Sequence, residues 1–235
     1  TSYSEGFGRF RITSDKFKSV SLKLASALKA AGVGKGDRVA SFSSNIPEAV
    51  MGLMATSTIG AIWSSCSPDF GTQAVIDRFG QIDPKILFAV ESYDYNGKRF
   101  NCLPKIIEIT RAFKSLQKVV LIPAFQNFDG ETVKYSHDLP NNFVYFDDFI
   151  EEHDPTETFE QVEFSHPLYI LYSSGTTGKP KCIVHGTGGT MLQHYKELAL
   201  HTDLKVDDKL LYFTTTGWMM WNWLVSGLLV GAEIV

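Results

Sequence analysis

Cysteine is scarce in this sequence, with 3 in 235 residues, at Cys66, Cys102 and Cys182. The count is odd and the spacings are wide, so there is no CxxC pair, no zinc-ribbon pattern and no disulfide framework. Buried thiols in a reducing compartment, the cytosol, are expected instead. Long apolar runs are also lacking. The most apolar window, Trp218 to Val230, is interrupted by Asn222, Ser226 and Gly227. It falls short of the roughly 20 residues that a membrane span requires. Thr1 to Phe10 has no apolar signal core. Neither sign of charge dominates, with 22 Lys and Arg against 26 Asp and Glu for a net charge of −4. That leaves no basic field for nucleic acid or an anionic membrane surface. No internal repeat or low-complexity tract is present.

What is there describes a globular chain: 44% hydrophobic and 20% charged residues, with 19 Gly and 9 Pro. Disordered, collagen-like and coiled-coil classes are excluded by that balance. The chain lacks an initiator Met and closes on Ala232-Glu233-Ile234-Val235 in what reads as a strand. Both ends predict a piece of a longer polypeptide.

The periodicity predicts alternating strands and helices. Ser14-Asp15 reads as a helix cap, because such side chains accept from free first-turn N–H groups. Phe17, Val20, Leu24, Leu28 and Ala31 then share one helical face, ended by Gly32 and Gly34. Arg38 to Phe42 reads as a strand, and Pro47 opens a helix to Ile59. A second strand begins at Gly60, a helix covers 71–80, and Lys85 to Val90 is a buried strand. A helix over Pro104 to Leu116 precedes the strand Lys118 to Ile122. Residues 124–165 carry no firm period and read as a long connection with one short element near Phe146 to Ile150. Beyond it come strands at Pro167 to Tyr172, Lys181 to His185 and Lys209 to Phe213. Helices are expected over Thr190 to Leu200, with Leu192, Tyr195 and Leu198/Ala199 on one face, and over Trp218 to Leu229. This alternation predicts an α/β fold around a largely parallel sheet.

The chemistry concentrates in Tyr172-Ser173-Ser174-Gly175-Thr176-Thr177-Gly178-Lys179-Pro180-Lys181. Directly after an apolar strand, ten residues hold four aliphatic hydroxyls, two glycines and two lysines. Glycines let backbone N–H groups turn toward an anion, hydroxyls add donors, and lysine adds charge. The run is not a Walker A loop, because Ser173 stands where that motif needs glycine and Pro180 follows Gly178-Lys179. No GxGxxG follows the first strand, which argues against a dinucleotide fold.

In its order, this run resembles the phosphate-binding signature of the adenylate-forming enzymes, the acyl-CoA synthetase and luciferase superfamily. Their pattern is an aromatic, then Ser/Thr-Ser-Gly-Ser/Thr-Thr-Gly-x-Pro-Lys, ordinarily followed by Gly. Cys182 departs from that ending, and the departure is expected to tune packing. The stretch Ser14 to Val39 resembles the family's opening helix, turn and strand. Gly60-Ala61-Ile62-Trp63-Ser64-Ser65-Cys66-Ser67-Pro68-Asp69-Phe70-Gly71, Tyr93-Asp94-Tyr95-Asn96-Gly97-Lys98 and Gly217-Trp218-Met219-Met220-Trp221-Asn222-Trp223 resemble the acetoacetate-activating branch. The likeness runs from about residue 10 to Val235.

The resemblance implies part of the large domain of an adenylate-forming ligase, with 1–235 an incomplete AMP-binding domain and the small C-terminal domain absent. It implies ATP, Mg²⁺ and CoA as cofactor and co-substrates. A carboxylate, acetoacetate, attacks the α-phosphorus of ATP and pyrophosphate leaves; the CoA thiol then displaces AMP from the acyl carbon. Ser173, Ser174, Gly175, Thr176, Thr177, Gly178 and Lys179 are the expected phosphate ligands. Lys181 either reaches the phosphates or anchors the loop. Trp218, Met219, Met220 and Trp221 match the position lining the acyl pocket, and a Met-aromatic stripe on a helix is equally a plain core face. Arg78 matches an arginine near the CoA phosphates, and Asp77 beside it offers the plainer explanation of a helix surface pair. His185, His194 and His201 lack metal-ligand spacing and read as hydrogen-bonded or exposed histidines, with no metal site.

The family's adenine-site segment, ribose-binding Asp and C-terminal lysine lie downstream of the position matching Val235. The chain alone is therefore expected to be inactive or nearly so and to associate through exposed apolar surface. The alternatives are a truncated, non-catalytic product with residual nucleotide binding, or a ligase for acetate or propionate. No nucleic acid or membrane partner is implied.

Overall fold

The computed structural model describes residues 1–4, 8–123, 139–173 and 178–235. A seven-stranded sheet organises them. Its strands in chain order are β1 Arg38–Phe42, β2 Ile62–Cys66, β3 Ile86–Val90, β4 Lys118–Ile122, β5 Phe143–Tyr145, β6 Pro167–Tyr172 and β7 Cys182–Gly186. Across the sheet they stand β7-β6-β2-β1-β3-β4-β5. All neighbours are parallel except the edge pair of β6 and β7, which forms an antiparallel hairpin. The expected α/β class with a largely parallel sheet is the observed one. β2, β3 and most of β1 and β4 are buried, so they read as continuous apolar runs without alternation.

The helices between them are α1 Ser14–Ala30, α2 Pro47–Thr58, α3 Thr72–Phe79, α4 Leu103–Arg111, α5 Phe146–Glu151, α6 Thr187–Tyr195 and α7 Met219–Val225. α1 starts one residue earlier than its expected cap: Thr13, not Ser14 or Asp15, accepts from the Lys16 N–H at 3.3 Å. Leu24 and Leu28 of its apolar face are fully buried, with Phe17, Val20 and Ala31 packed at the margin. From β1 the chain steps to β2 on one side and then to β3 on the other. Right-handed crossovers therefore put α2 and α3 on opposite faces. Such a reversal is where open α/β sheets bind ligands, outside the carboxyl ends of their strands.

Four expectations change. β5 adds an edge strand within the long connection, and residues 124–138 of that connection lie outside the described residues. A hairpin at Ser92–Tyr95 and Lys98–Asn101 turns on Asn96 and Gly97, both at positive φ (52° and 70°). The strand expected over Lys209 to Phe213 is only Lys209–Leu210, paired in parallel with Glu233–Ile234. Finally, α6 continues as a π-helix over Lys196–His201. Of its expected apolar face, Leu198 is buried while Leu192 and Tyr195 are exposed.

Candidate functional site

Three segments meet at the carboxyl ends of the parallel strands: the loop after β6, the turn after β2 leading into α3, and the chain entering α7. Ser173 closes the first. Its N–H donates to the Lys181 carbonyl at 3.0 Å, and its Oγ accepts from the Lys181 N–H at 3.2 Å. The two bonds join the two ends of the loop. Lys181 thus anchors the loop through its main chain, while its side chain faces solvent. Cys182 lies opposite Tyr172 in the β6–β7 ladder, in ordinary extended backbone that does not need a glycine. Gly178 is different. Its φ is +86°, a conformation that L side chains rarely adopt. The expected ligands Ser174, Gly175, Thr176 and Thr177 lie outside the described residues.

Helix α3 holds the far side of the loop. Lys179 Nζ lies 3.5 Å from an Asp77 carboxylate oxygen, which also accepts from Gln73 at 2.9 Å. One turn on, Gln81 donates to the Pro180 carbonyl at 2.8 Å and to the Asp77 carbonyl at 2.7 Å. Between those residues, Arg78 is clasped by aromatic faces. Its guanidinium carbon is 4.9 Å from the Phe70 ring centre and 5.8 Å from that of Tyr172. One of its nitrogens donates to the Ala74 carbonyl at 2.8 Å. Lys105 reaches from α4 to the carbonyls of Pro68 and Phe70, both at 2.9 Å, and fixes the Phe70 turn. Tyr172 is tied to β2 by a bond from Ser64 at 3.0 Å. Burial drives its phenol pKa far above the ordinary range, against the lowering effect of that bond. Arg78 therefore stands under the loop, on the helix that fastens it.

The third segment crosses the ends of β1 and β2. Ser65 donates to the Thr216 carbonyl and Thr216 to the Ser43 carbonyl, each at 2.6 Å. The Trp221 indole N–H donates to Asn45 Oδ1 at 2.8 Å. These bonds pin the start of α7 beside the sheet. A cavity of about 340 Å³ opens there, lined by residues 212–215 and by Trp218, Met219 and Met220. Trp221 does not line it: its ring is fully buried in the core. The sequence pattern predicts all four residues on one wall, but helical geometry turns the fourth away from the other three. Asp77, Gln81, Phe70 and Thr215 did not emerge from the sequence as site residues. The i, i+4 pair of Asp77 and Gln81 flanking Arg78 was the available signal.

The histidines lie elsewhere. His194 is buried with Nδ1 2.8 Å from the Ser226 hydroxyl, and its pKa is lowered by burial. His185 packs against the Tyr169 ring. Cys66 and Cys102 are buried, with thiols raised by burial to about 12 and about 11, while Cys182 is half-buried.

Comparison with known proteins decides the family, because the family described as AMP-binding enzyme matches residues 3–235. The chain belongs to the AMP-binding enzymes. Among curated members, the acetoacetyl-CoA synthetase of Gallus gallus is 46% identical over 229 residues, covering 96% of this chain and 34% of that protein. The malonamoyl-CoA synthetase of Penicillium aethiopicum is 40% identical over 236 residues, covering 100% of this chain and 32% of its own length. The solved structure of acetoacetyl-CoA synthetase from Streptomyces lividans superposes with a TM-score of 0.88 at 42% identity, covering 96% of this chain and 33% of that one. This AMP-binding chain therefore spans about a third of the length of the relatives it matches. No helix among its described residues is long and apolar enough to cross a membrane.

Proposed function

We propose that this chain carries the triphosphate loop and one wall of the acyl pocket of an AMP-forming acid–CoA ligase acting on acetoacetate. The observation that carries the proposal is a juxtaposition. The loop closed by Ser173 and Lys181 and the cavity walled by Trp218, Met219 and Met220 flank the same strand ends. A nucleotide held by the loop presents its α-phosphorus toward an acid held in the cavity. The acid's carboxylate oxygen attacks that phosphorus and the bond to the β-phosphate oxygen breaks, releasing pyrophosphate. In the second step the CoA thiol attacks the acyl carbon, loses its proton, and AMP departs. Gly178 and Lys179 serve the phosphate oxygens with an N–H and a cation, and Arg78 serves the phosphates of CoA.

Mg²⁺ belongs to this proposal as part of the nucleotide. Among the described residues, no three His, Cys, Asp or Glu side chains gather into a metal cradle, and beside the loop they offer the Ser173 hydroxyl and the Asp77 carboxylate. A sparse protein donor set of this kind suits an ion that arrives on the triphosphate, since Mg²⁺ keeps several waters and takes one or two protein oxygens. The relatives' names support a short acid with a carbonyl at its third carbon, a feature that acetoacetyl and malonamoyl groups share. Three free cysteines support a cytosolic setting.

The test replaces the matching third of the Streptomyces lividans enzyme with this chain and follows ATP–pyrophosphate exchange. Exchange that depends on acetoacetate is the expected result. Faster exchange with acetate or propionate, or none with any acid from a folded chimera, contradicts the proposal.

A further inference from the structure

Two segments line the cavity at the start of α7, and the Trp223 ring joins them. Trp223 lies on α7 one turn beyond Met219 and Met220, which form the helical wall. Its ring meets that of Tyr212 edge-on, with centres 5.9 Å apart, and Tyr212 lines the same space from the preceding segment. The Trp223 indole N–H donates to Glu197 Oε2 at 3.1 Å, and Gln193 donates to the other carboxylate oxygen at 2.6 Å. Glu197 thus receives a bond on each oxygen. It belongs to the π-helix that continues α6, and its carbonyl accepts from the Thr202 N–H, five residues on, at 2.8 Å. Leu198 beside it is fully buried against Leu210 and Leu224, with Trp223 packed at the margin of that cluster. The bond from Trp223 to Glu197 therefore ties together two elements already fixed by packing. An ionised acceptor makes it stronger than a bond between neutral groups. π-helical turns are rare and gather at functional sites.

We infer that Glu197 is a positioning residue for the acyl pocket: through the indole N–H of Trp223 it fixes the ring that props Tyr212 at the cavity. The inference rests on the acyl-pocket reading of this cavity and extends it to a residue that does not line the space. A side chain in the wall of a site is only as well placed as the groups that lock its rotamer. The indole has several staggered orientations to choose from, and a bond at its far edge selects one. With that acceptor gone, the ring is free to leave Tyr212. Tyr212 is 42% exposed, so packing alone confines it little. A looser wall holds the acid less tightly. The loop after β6 is fastened instead by Asp77 and Gln81 of α3, so its grip on a triphosphate does not depend on Glu197. The two binding steps should therefore separate, with the loss appearing in the KM for the acid.

The experiment measures the KM for acetoacetate and for MgATP by ATP–pyrophosphate exchange in the chimeric enzyme. It compares the unmodified chimera with Glu197→Ala, Glu197→Gln, Trp223→Phe and the double variant Glu197→Ala with Trp223→Phe. Glu197→Ala and Trp223→Phe are each expected to raise the acetoacetate KM about three- to ten-fold, the worth of one hydrogen bond. The MgATP KM stays within about two-fold, a separation that a general loss of structure would not produce. The double variant is no worse than the poorer single one, because both substitutions cut the same bond. Glu197→Gln keeps an oxygen for the indole N–H and restores most of the affinity. Equal rises in both KM values mark a general support of the fold, and effects that multiply in the double variant show two residues acting separately. Either result overturns the inference and leaves the proposed function standing, as does an unchanged acetoacetate KM. A folded chimera without acid-dependent exchange overturns the acyl-pocket reading, and this inference with it.

Discussion

Lys179 Nζ lies 3.5 Å from the carboxylate of Asp77, one turn from the start of the contact between Gln81 and the Pro180 carbonyl. The cation expected to meet phosphate is thus already engaged, by an acid on the neighbouring helix. Lys179 is mostly exposed, so the pair itself is worth little. It nevertheless competes with the nucleotide, and its carboxylate repels an anion. Asp77→Asn is expected to tighten MgATP binding about two- to five-fold, with the gain shrinking as salt rises. Isothermal titration at two ionic strengths measures this. Weaker binding would show that Asp77 positions the lysine and does not withhold it.

Arg78 is held between Phe70 and Tyr172, a setting suited to a planar guanidinium and poorly suited to an ammonium. Arg78→Lys is therefore not conservative here. In the chimeric enzyme, both Arg78→Lys and Arg78→Gln are expected to raise the KM for CoA several-fold while leaving adenylation of the acid largely intact. Equal losses in ATP–pyrophosphate exchange and in thioester formation would assign Arg78 to the loop's support.

Asp37 provides a pH-dependent contribution to stability. Burial raises its carboxyl pKa, but the bond from Lys85 at 2.7 Å and the Gly34 N–H at 2.8 Å outweigh this and hold it below the ordinary value. A carboxyl lowered in the folded state stabilises the protein above its unfolded pKa, near 3.9, and loses that contribution as pH falls through the folded value. Urea midpoints between pH 6 and pH 3 are expected to fall less steeply for Asp37→Asn than for the unmodified chain. Parallel curves would contradict this.

Much of the fold was legible because burial on both faces leaves a plain mark: Ile86–Val90 and Val119–Ile122 are short apolar runs with β-branched residues that fit interior strands of a parallel sheet. Residue order singled out the run after Tyr172 as the expected phosphate loop, but gave no sign of the two main-chain and hydroxyl bonds that join Ser173 to Lys181. Pairing was less visible. Leu211 and Phe213 have strand composition, but no second strand among the described residues lies beside them. They are 71% and 96% exposed. The hairpin around Asn96-Gly97 was signalled by that dipeptide, yet its strands are half-buried or exposed and lack an apolar alternation. Asp77 and Gln81 show their i, i+4 spacing in the sequence, but their partners Lys179 and Pro180 are about a hundred residues away and only the folded chain reveals them.

The same exposure has a consequence in solution. Leu200, Val206, Leu211 and Phe213 are all more than two-thirds exposed, and exposed apolar side chains of this size favour association. The isolated chain is expected to elute larger than a monomer and to shift with concentration. Leu211→Lys combined with Phe213→Lys should move it toward the monomer. A monodisperse monomer of the unmodified chain in light scattering would contradict this.

The central claim is that the loop between Ser173 and Lys181 grips a nucleotide's triphosphate, and the most direct measurement is the MgATP affinity of the chain and of Lys179→Ala. A charge-assisted bond to phosphate predicts a loss of at least about ten-fold for Lys179→Ala, with AMP binding little affected because it lacks the outer phosphates. An unchanged MgATP affinity, or equal losses for MgATP and AMP, would contradict it.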